Sequence, residues 1–193
     1  MADAPTIVVD ATTRIRPWRQ DDAQALWEAV DGSREHIAAW LPWADGYVSP
    51  VAAHEFIRSA IQGYREGRFD LAVEVGGAVA GGCRFGPAKP VRRVEVGYWL
   101  ALPYTRRGIM TRCVAALCGT LFRERDVQRI QIMALGDNAA SRAIPERLGF
   151  RLEGIFREAR MHRGEWRDEA SYATTAGEWQ ATHPGPSALR RSP

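Results

Sequence analysis

One segment constrains the fold of this chain more than any other: Val94–Thr111 (VEVGYWLALPYTRRGIMT). In it a predicted strand leads through a short loop into a helix that begins at a glycine. Its first half alternates like a strand, and the apolar residues of 109–125 have helical spacing. Backbone N–H groups at a helix start lack helical partners, and the helix dipole favours negative charge there. Gly108 allows close approach to the backbone, and Arg106 and Arg107 add positive charge. The turn is a candidate pyrophosphate site, although an ordinary strand-to-helix turn has the same features.

A glycine pair in the first half of the chain predicts a β-hairpin. Gly76-Gly77 separates two alternating runs, 70–75 and 79–85, and two glycines between such runs are typical of a tight hairpin turn. The alternation of 13–18 predicts an earlier strand. Helical spacing predicts three helices between these strands, over 23–30, over 33–40 and from Ser49-Pro50 onward.

The second half alternates between strands and helices. An apolar strand is predicted over 130–135, a helix over 138–148 closed by Gly149, and a last hairpin formed by 151–162 and 166–175. Antiparallel strands followed by strand–helix–strand–helix–strand predict an α/β domain with a mixed sheet. A ligand is expected where the two inner strands end, at 100–109 and 135–138.

Length and composition predict one domain. The chain has 193 residues, which is the size of a single domain. We expect an N-terminal extension over 1–12, the domain over 13–177 and a tail over 178–193 that is rich in Pro, Ser and Arg and disordered. The pattern breaks at Pro87–Pro90. The net charge of +3 is too small to indicate nucleic-acid binding.

Cysteine usage predicts a reducing compartment. Cys83, Cys113 and Cys118 form no CxxC pair, so we expect reduced thiols in a cytoplasmic protein, with Cys113 and Cys118 as packing residues. The first ten residues lack the features of a secretion signal, and no apolar run approaches the roughly 20 residues that span a bilayer. The four histidines are dispersed, so no metal site is predicted.

A second segment, 138–150, carries further candidate residues. Asn138 is a favourable N-cap, and Ser141 lies on nearly the same helix face three residues later. Asn and Ser at a helix start are more often caps than ligands. Pro145 lies inside the predicted helix, where it removes a hydrogen bond and kinks the chain.

Together these segments resemble the GNAT acetyltransferases, and within them the RimJ/RimL-type ribosomal-protein N-terminal acetyltransferases. Gly108 matches the first glycine of the loop Q/R-x-x-G-x-G/A, and Gly97-Tyr98-Trp99-Leu100 matches the strand before it. Asn138 and Gly149-Phe150 match the segment along pantetheine. The resemblance covers 13–175 and is further carried by Ile109, Met110, Ser141, Trp40-Leu41-Pro42-Trp43, Asp168 and Tyr172.

The resemblance implies the GNAT fold, a mixed, mostly antiparallel twisted sheet of about seven strands flanked by helices. It also implies acetyl-CoA as cosubstrate and direct transfer of its acetyl group to a primary amine in a ternary complex. Two neighbouring strands, over 94–100 and 130–135, are expected to separate and admit the acetyl-pantetheine arm. The residues expected to bind the cosubstrate are Tyr98, Trp99, Leu100, Leu102, Thr105, Arg106, Arg107, Gly108, Ile109, Met110, Thr111, Asn138, Ser141 and Arg147.

Glu95 and Ser141 are the predicted catalytic residues. Glu95 stands where many members of the family keep a general base, and its two valine neighbours predict partial desolvation that raises its pKa. The alternative for Glu95 is a surface position with an ion pair to Arg92 or Arg93. Backbone N–H groups of 98–100 are expected to polarise the thioester carbonyl.

The sequence departs from the family pattern at three positions. Thr105 replaces the opening Gln or Arg of the loop, and Met110 replaces its last small residue. Pro145 replaces the Tyr that protonates the departing thiolate in many members. Ser141 is therefore the candidate proton donor, with a purely structural Ser as the alternative, and much of the rate is expected from positioning of the substrates.

The sequence constrains the acceptor-binding residues less than those that bind the cosubstrate. Residues expected to contact the acceptor are Trp40, Trp43, Arg84 and Glu95, with Tyr47 and Trp166 as further aromatic walls. Aromatic residues at such spacing also occur in cores and dimer contacts. Arg84 and Arg93 favour an acceptor with acidic groups.

Three functions remain open from the sequence. A protein N-terminal α-amine is the first acceptor, and a small-molecule amine such as an aminoglycoside, a polyamine or a peptide antibiotic is the second. A non-catalytic acyl-CoA-binding module is the third, and Thr105 and Pro145 favour it. The resemblance also implies a homodimer formed through the last strands.

Overall fold

The computed structural model describes residues 4–47, 49–86 and 92–184. The predicted break at Pro87–Pro90 lies outside them. Within this part of the chain, no helix is long and apolar enough to cross a membrane. The strands are β1 (Ile7–Val8), β2 (Thr13–Pro17), β3 (Phe69–Val75), β4 (Ala78–Phe85), β5 (Arg93–Leu100), β6 (Arg129–Leu135), β7 (Arg151–His162) and β8 (Glu165–Thr175). The helices are α1 (Ala23–Asp31), α2 (Arg34–Ala38), α3 (Pro50–Arg65), α4 (Ile109–Glu124), α5 (Ala139–Arg147) and α6 (Ala176–Thr182).

All eight strands belong to one sheet with the order β1-β2-β3-β4-β5-β6-β8-β7. Neighbouring strands are antiparallel except β5 and β6, which are parallel. The prediction of a mixed, mostly antiparallel sheet flanked by helices is therefore confirmed. The strand missed by sequence analysis is β1, whose two residues are too few to show a period.

Both predicted hairpins are present, and their turns have the backbone geometry that such turns require. Gly76 and Gly77 have φ angles of 60° and 86°, and Arg163 and Gly164 have φ angles of 48° and 84°. Positive φ at both central residues matches the right-handed twist of the flanking strands. These turns fix the register of β3 with β4 and of β8 with β7.

Apolar side chains of the helices pack against both faces of the sheet. One buried cluster joins the sheet to α4 and includes Leu117 and Leu121 together with Val94 and Val96 of β5. The other cluster joins the sheet to α1–α3 and includes Leu26. Because side chains alternate along a strand, Glu95 and Trp99 face the α1–α3 side of β5. Burying each large aliphatic side chain stabilises the fold by about 1.5–3 kcal/mol.

The parallel pair β5–β6 separates soon after it begins. The two strands are paired only from Arg93↔Arg129 to Glu95↔Gln131. Beyond this point β5 continues with β4, and β6 continues with β8 as far as Leu135↔Glu169. The predicted gap between these strands is therefore present, and the β6-facing edge of the second half of β5 is left without a strand partner.

The prediction of disorder from residue 178 is wrong as far as Thr182, because α6 continues the chain there. A capping box starts this helix: the Glu178 carboxylate accepts the Thr175 N–H at 2.9 Å, and the Glu178 N–H donates to Thr175 Oγ1. Trp179 is buried against Phe122 and Phe150. One aromatic anchor thus holds a short helix that has too little apolar periodicity to be predicted. Residues 185–193 lie outside the described part of the tail.

Candidate active site

A cleft of about 1180 Å³ opens where β5 and β6 separate. Side chains from both faces of β5 line it, so it passes through the sheet. Of the residues predicted to be catalytic, to bind the cosubstrate or to contact the acceptor directly, all but one line this cleft, namely Trp40, Trp43, Arg84, Glu95, Tyr98, Trp99, Leu100, Leu102, Thr105, Arg106, Gly108, Ile109, Met110, Thr111, Asn138, Ser141 and Arg147. The exception is Arg107, which does not line the cleft and whose carbonyl accepts a hydrogen bond from Arg112.

The loop between β5 and α4 is held in a compact turn at one end of the cleft. Thr105 Oγ1 donates to the Leu102 carbonyl at 2.8 Å, so the hydroxyl of this residue shapes the loop. Arg106 and Gly108 have φ angles of 58° and 69°, and Gly108 is the N-cap of α4. A left-handed conformation costs a residue with a Cβ about 1–2 kcal/mol, which explains the glycine. Arg106 is exposed, so the N-terminus of α4 and one arginine are available to an anion.

The start of α5 forms the opposite wall of the gap. Asn138 Oδ1 accepts the Ser141 N–H at 3.0 Å, so the predicted N-cap is present. The Tyr98 hydroxyl donates to the Ser141 carbonyl at 3.0 Å, and Ser141 Oγ donates to the Tyr98 hydroxyl at 3.3 Å. Burial raises the pKa of Tyr98 well above its ordinary value, so the phenol stays protonated. These bonds connect β5 to α5 across the gap.

Pro145 has a structural role that sequence analysis did not find. A proline has no N–H, so the carbonyl four residues earlier, that of Ser141, receives no helical hydrogen bond from it. The Tyr98 hydroxyl supplies that bond instead. The carbonyl of Pro145 accepts N–H groups from Leu148 and Phe150, which closes the helix before Gly149. The sequence predicts a cosubstrate contact for Tyr98, and the structure adds this hydrogen bond of its hydroxyl.

Glu95 lies in the cleft on the α1–α3 side of the sheet. The expected desolvation is wrong, because Glu95 is exposed. The sheet opens next to Glu95, and the side chain therefore faces the cleft instead of a packed layer. Among the described residues Glu95 makes no ion pair, and Arg92 binds Asp126 instead. The carboxylate is thus available to a ligand.

Arg84 reaches the same face because β5 has a glycine beside it. A Cβ added at Gly97 would lie 3.0 Å from Cγ of Arg84, so the arginine stem lies across β5 at this position. The Arg84 side chain is 72% exposed, and its Nε is 3.9 Å from the Asp70 carboxylate, which is a weak contact. Arg93, the other arginine expected near the acceptor, does not line the cleft.

An aromatic wall bounds the cleft near Glu95. Trp43 makes edge contacts with Tyr47 and Trp99, with ring centroids 5.6 and 5.8 Å apart. Trp40 and Tyr47 also line the cleft. The expectation for Trp166 is wrong, because this residue is 59% exposed and lines a separate, smaller pocket with Asp137 and Arg167. Trp166 lies two residues after Gly164 of the hairpin turn and pairs with Met161 of β7.

The tip of the β7–β8 hairpin is attached to the aromatic wall. Arg163 donates to both oxygens of Asp45, at 3.0 and 2.7 Å, and Asp45 lies in the 3-10 turn Pro42–Gly46. The Arg163 guanidinium holds the pKa of Asp45 below its ordinary value. The hairpin is therefore connected to the loop that carries Trp43, which limits the width of the cleft on this side.

The three cysteines are unpaired and buried. Burial raises the pKa of each thiol, that of Cys113 to about 12. Cys83 Sγ lies 3.7 Å from Met110 Sδ. Because a thiolate is the reactive form, these residues act as small packing side chains. Within the described ranges, no group of three His, Cys, Asp or Glu residues is arranged to hold a metal ion.

Comparison with known proteins identifies the family. The model of the acetyltransferase (GNAT) domain matches residues 13–151. The chain therefore belongs to the GNAT acetyltransferases. The predictions of this family and fold, of an N-acetyltransferase and of acetyl-CoA as its acetyl donor are confirmed.

Individual relatives place the chain near the RimJ/RimL group. It is 30% identical over 181 residues to the Bacillus subtilis (strain 168) protein named "Putative ribosomal N-acetyltransferase YdaF", covering 91% of this chain and 97% of that protein. The structure of RimL, a ribosomal L7/L12 alpha-N-protein acetyltransferase, in complex with coenzyme A matches with a TM-score of 0.84 and 25% identity, over 89% of this chain and 98% of RimL. Mycobacterium smegmatis RimJ in complex with CoA-disulfide matches with a TM-score of 0.81 and 26% identity, over 91% of this chain and 87% of RimJ.

Proposed function

We propose that this enzyme acetylates the N-terminal α-amine of a protein acceptor, with acetyl-CoA held in the gap between β5 and β6. The observation that carries the proposal is the separation of the two strands beyond Glu95↔Gln131, which opens a cleft through the sheet. Acetyl-CoA enters from the α4 side and the amine from the α1–α3 side. The two substrates then meet at the second half of β5, which allows direct transfer without an acyl-enzyme.

The residues on the α4 side fit the cosubstrate. Arg106 and the N-terminus of α4 at Gly108 suit the pyrophosphate, because unpaired backbone N–H groups and positive charge coincide there. The unpartnered edge of β5 over 98–100 offers backbone groups to the pantetheine amides and to the thioester carbonyl. Asn138 and Arg147 line the remaining length of the cleft.

Acetyl transfer needs one proton acceptor and one proton donor. The amine nitrogen attacks the thioester carbonyl carbon and loses a proton to Glu95, directly or through a water molecule. The carbon–sulfur bond breaks, and the thiolate of coenzyme A takes a proton from Ser141 Oγ while that hydroxyl takes a proton from solvent, so that no alkoxide forms. In the structure Ser141 Oγ donates to Tyr98, and a rotation of the side chain redirects that hydroxyl towards the sulfur.

A protein terminus is the acceptor that fits the α1–α3 face best. This face is open to solvent at Glu95 and Arg84, so an extended chain can leave the cleft after its amine has entered. The relatives RimL and YdaF carry names of ribosomal acetyltransferases, which supports the same acceptor class. A small amine is the other acceptor to be tested, because the aromatic wall at Trp43 and Trp99 also suits a compact ligand.

The acceptor class is tested by thiol release from acetyl-CoA. The panel contains peptides that begin with Ser, Ala or Met, the same peptides with a blocked α-amine, several aminoglycosides and spermidine. We expect release with free peptides and none with blocked ones, even when a lysine is present. Release with an aminoglycoside or spermidine but with no peptide would overturn the protein acceptor. Calorimetry measures acetyl-CoA binding in parallel. Binding of acetyl-CoA without thiol release in the presence of any of these amines would contradict acetyl transfer to them.

We also propose that the protein is cytoplasmic and forms a homodimer. Three unpaired, buried thiols suit a reducing compartment.

The homodimer is proposed to form at the edge strand β7. This strand carries the exposed apolar residues Leu152, Ile155 and Phe156, and an uncovered edge of this kind is suited to a second copy. Light scattering should give the dimer mass for the wild type and the monomer mass for Phe156→Glu, and a monomeric wild type would refute the dimer.

A further inference from the structure

An ion pair in the cleft takes no part in the mechanism above. Arg160 of β7 and Glu169 of β8 both line the cleft, and Arg160 Nε donates to Glu169 Oε1. The Glu169 side chain is 10% exposed, whereas that of Arg160 is 46% exposed. The carboxylate is therefore held inside the protein, and the guanidinium extends from it into the cleft.

A β-bulge positions Arg160. Phe156 pairs with Glu169 and Arg160 pairs with Arg167, so residues 157–159 of β7 lie opposite the single residue 168 of β8. Glu158, inside the bulge, has a φ angle of 50°, and its N–H donates to the Asp168 carboxylate at 2.9 Å. Bulges of this kind redirect a side chain and are frequent beside active sites. The left-handed backbone conformation costs a residue other than glycine free energy, and such strained residues cluster at functional sites. We therefore infer that the direction of the Arg160 side chain is functionally important.

The charges of the cleft indicate what Arg160 binds. Glu169 Oε1 accepts from Nε of Arg160 and forms an ion pair with its Nη2, whereas Nη1 of Arg160 makes no hydrogen bond to the residues that the structure describes. An arginine fixed in this way is preorganised for a carboxylate. Arg84 stands on the other half of the divided sheet, so one exposed guanidinium lies on each side of the gap.

We propose that Arg160, positioned by Glu169 and by the bulge, binds a carboxylate of the acceptor while the reacting amine lies at Glu95. This proposal rests on the proposed N-acetyltransferase function and specifies its substrate class. Arg84 adds long-range attraction for the same acidic group from across the gap.

The spacing along β6 predicts where the acidic residue lies in a peptide acceptor. Glu95 is opposite Gln131, and Glu169 is opposite Leu135. Four residues of strand separate these positions, which is about 13 Å. An extended peptide covers this distance within its first four residues, so an Asp or Glu at position three or four brings its carboxylate to Arg160.

The test compares matched peptide pairs on the full-length enzyme. Each pair begins with Ser and differs by Asp against Asn at position three or four. For the wild type we expect kcat/KM to favour the acidic peptide by about tenfold or more at one position, which is the scale of one charge-assisted hydrogen bond. In Arg160→Gln this ratio should fall close to one. Arg157→Gln, an exposed arginine of the same bulge that does not line the cleft, should retain the ratio.

Two further controls address the folding of the Arg160 variant and the kind of molecule that carries the carboxylate. Because Arg160→Gln leaves Glu169 without its partner, the double variant Arg160→Gln/Glu169→Gln replaces both charges by amides and should also lose the ratio. Equal rates for acidic and neutral peptides in the wild type, or an acidic preference that survives in both variants, would overturn the carboxylate site and leave peptide acetylation intact. A different outcome would be acetylation of the amine of free dipeptides, whose C-terminal carboxylate binds Arg160, with no reaction of longer peptides. This outcome would support the carboxylate site and overturn the protein acceptor.

Discussion

The hydroxyl of Tyr98 takes the place of the backbone N–H that Pro145 lacks. It donates to the carbonyl of Ser141 at 3.0 Å, the atom that an N–H at position 145 would reach in a regular helix. The proline therefore does not weaken the start of α5. It leaves an acceptor that ties this helix to β5 across the gap in which coenzyme A is proposed to bind.

This relationship predicts strong coupling between Tyr98 and Pro145. Tyr98→Phe leaves the Ser141 carbonyl without a partner and should lower the free energy of unfolding by about 1 kcal/mol or more. Pro145→Ala restores the helical N–H, so Tyr98→Phe should cost much less in the Pro145→Ala background. Urea unfolding of the four proteins measures the coupling, and strictly additive effects would show that the two residues act independently.

Ser141→Ala tests the proton donor. Loss of the hydroxyl should lower kcat about tenfold, which corresponds to about 1.4 kcal/mol in the barrier. The dissociation constant of acetyl-CoA should change little, because the Asn138 cap uses the backbone N–H of Ser141. Stopped-flow thiol release and calorimetry separate the two effects. An unchanged kcat would make Ser141 a structural residue.

Glu95→Gln tests the general base. The amide cannot accept the proton of the attacking amine, so kcat at neutral pH should fall while calorimetry gives an unchanged affinity for acetyl-CoA. Glu124→Gln, an exposed position at the end of α4, is the matched control and should behave like the wild type. If Glu95→Gln turns over like this control, the proton leaves by another route.

Gly108→Ala tests the pyrophosphate loop. Gly108 has a φ angle of 69°, and an added Cβ would lie 3.2 Å from the Arg112 guanidinium. Holding an alanine in this conformation costs about 1–2 kcal/mol, so acetyl-CoA affinity should fall about tenfold as the loop relaxes. Gly177→Ala serves as control, because its Cβ would meet no atom within 4 Å. Equal affinities for both variants would place the pyrophosphate elsewhere.

A buried charge network predicts acid sensitivity. Arg16 binds Asp22 and Glu74 at 2.7 Å each, and all three residues are buried. Burial by itself raises the pKa of Asp22, but hydrogen bonds from Arg16 and the Arg19 N–H outweigh it and hold the pKa below 3.8. A lowered pKa in the folded state adds stability above the unfolded pKa, and this stability is lost as pH falls below about 4.

The variant Asp22→Asn measures this contribution. Removing one partner of a buried ion pair costs about 3 kcal/mol, so the variant should unfold at lower urea concentration at pH 7. Its stability should also decline less steeply below pH 4 than that of the wild type. Asp31→Asn, at a half-exposed pair with Arg34, should change stability by less than about 1 kcal/mol. Parallel acid profiles of Asp22→Asn and the wild type would rule out Asp22 as the source.

Local sequence patterns were sufficient to predict most of the fold. One glycine pair, Gly76-Gly77, marked the β3–β4 turn, and the apolar runs of β5 and β6 marked the two strands that separate. The clustering of Gly108, Asn138 and Ser141 at one cleft followed from their places at strand ends, because successive strand ends meet at one edge of a sheet.

The remaining features depend on contacts between distant residues. The exposure of Glu95 depends on where β5 leaves β6, which no window of sequence contains. The Arg160–Glu169 pair depends on a bulge that sets a strand register, and registers show no composition signal. The role of Pro145 required a partner 47 residues away, Tyr98, whose hydroxyl direction follows from tertiary packing.

A crystal structure of the enzyme with coenzyme A and an acceptor peptide tests the central claim most directly. The account predicts the pantetheine arm between β5 and β6, the sulfur within hydrogen-bonding distance of Ser141 Oγ, and the peptide α-amine on the opposite face beside Glu95. An arm bound outside this gap, or a peptide amine that lies away from Glu95 and the sulfur, would contradict it.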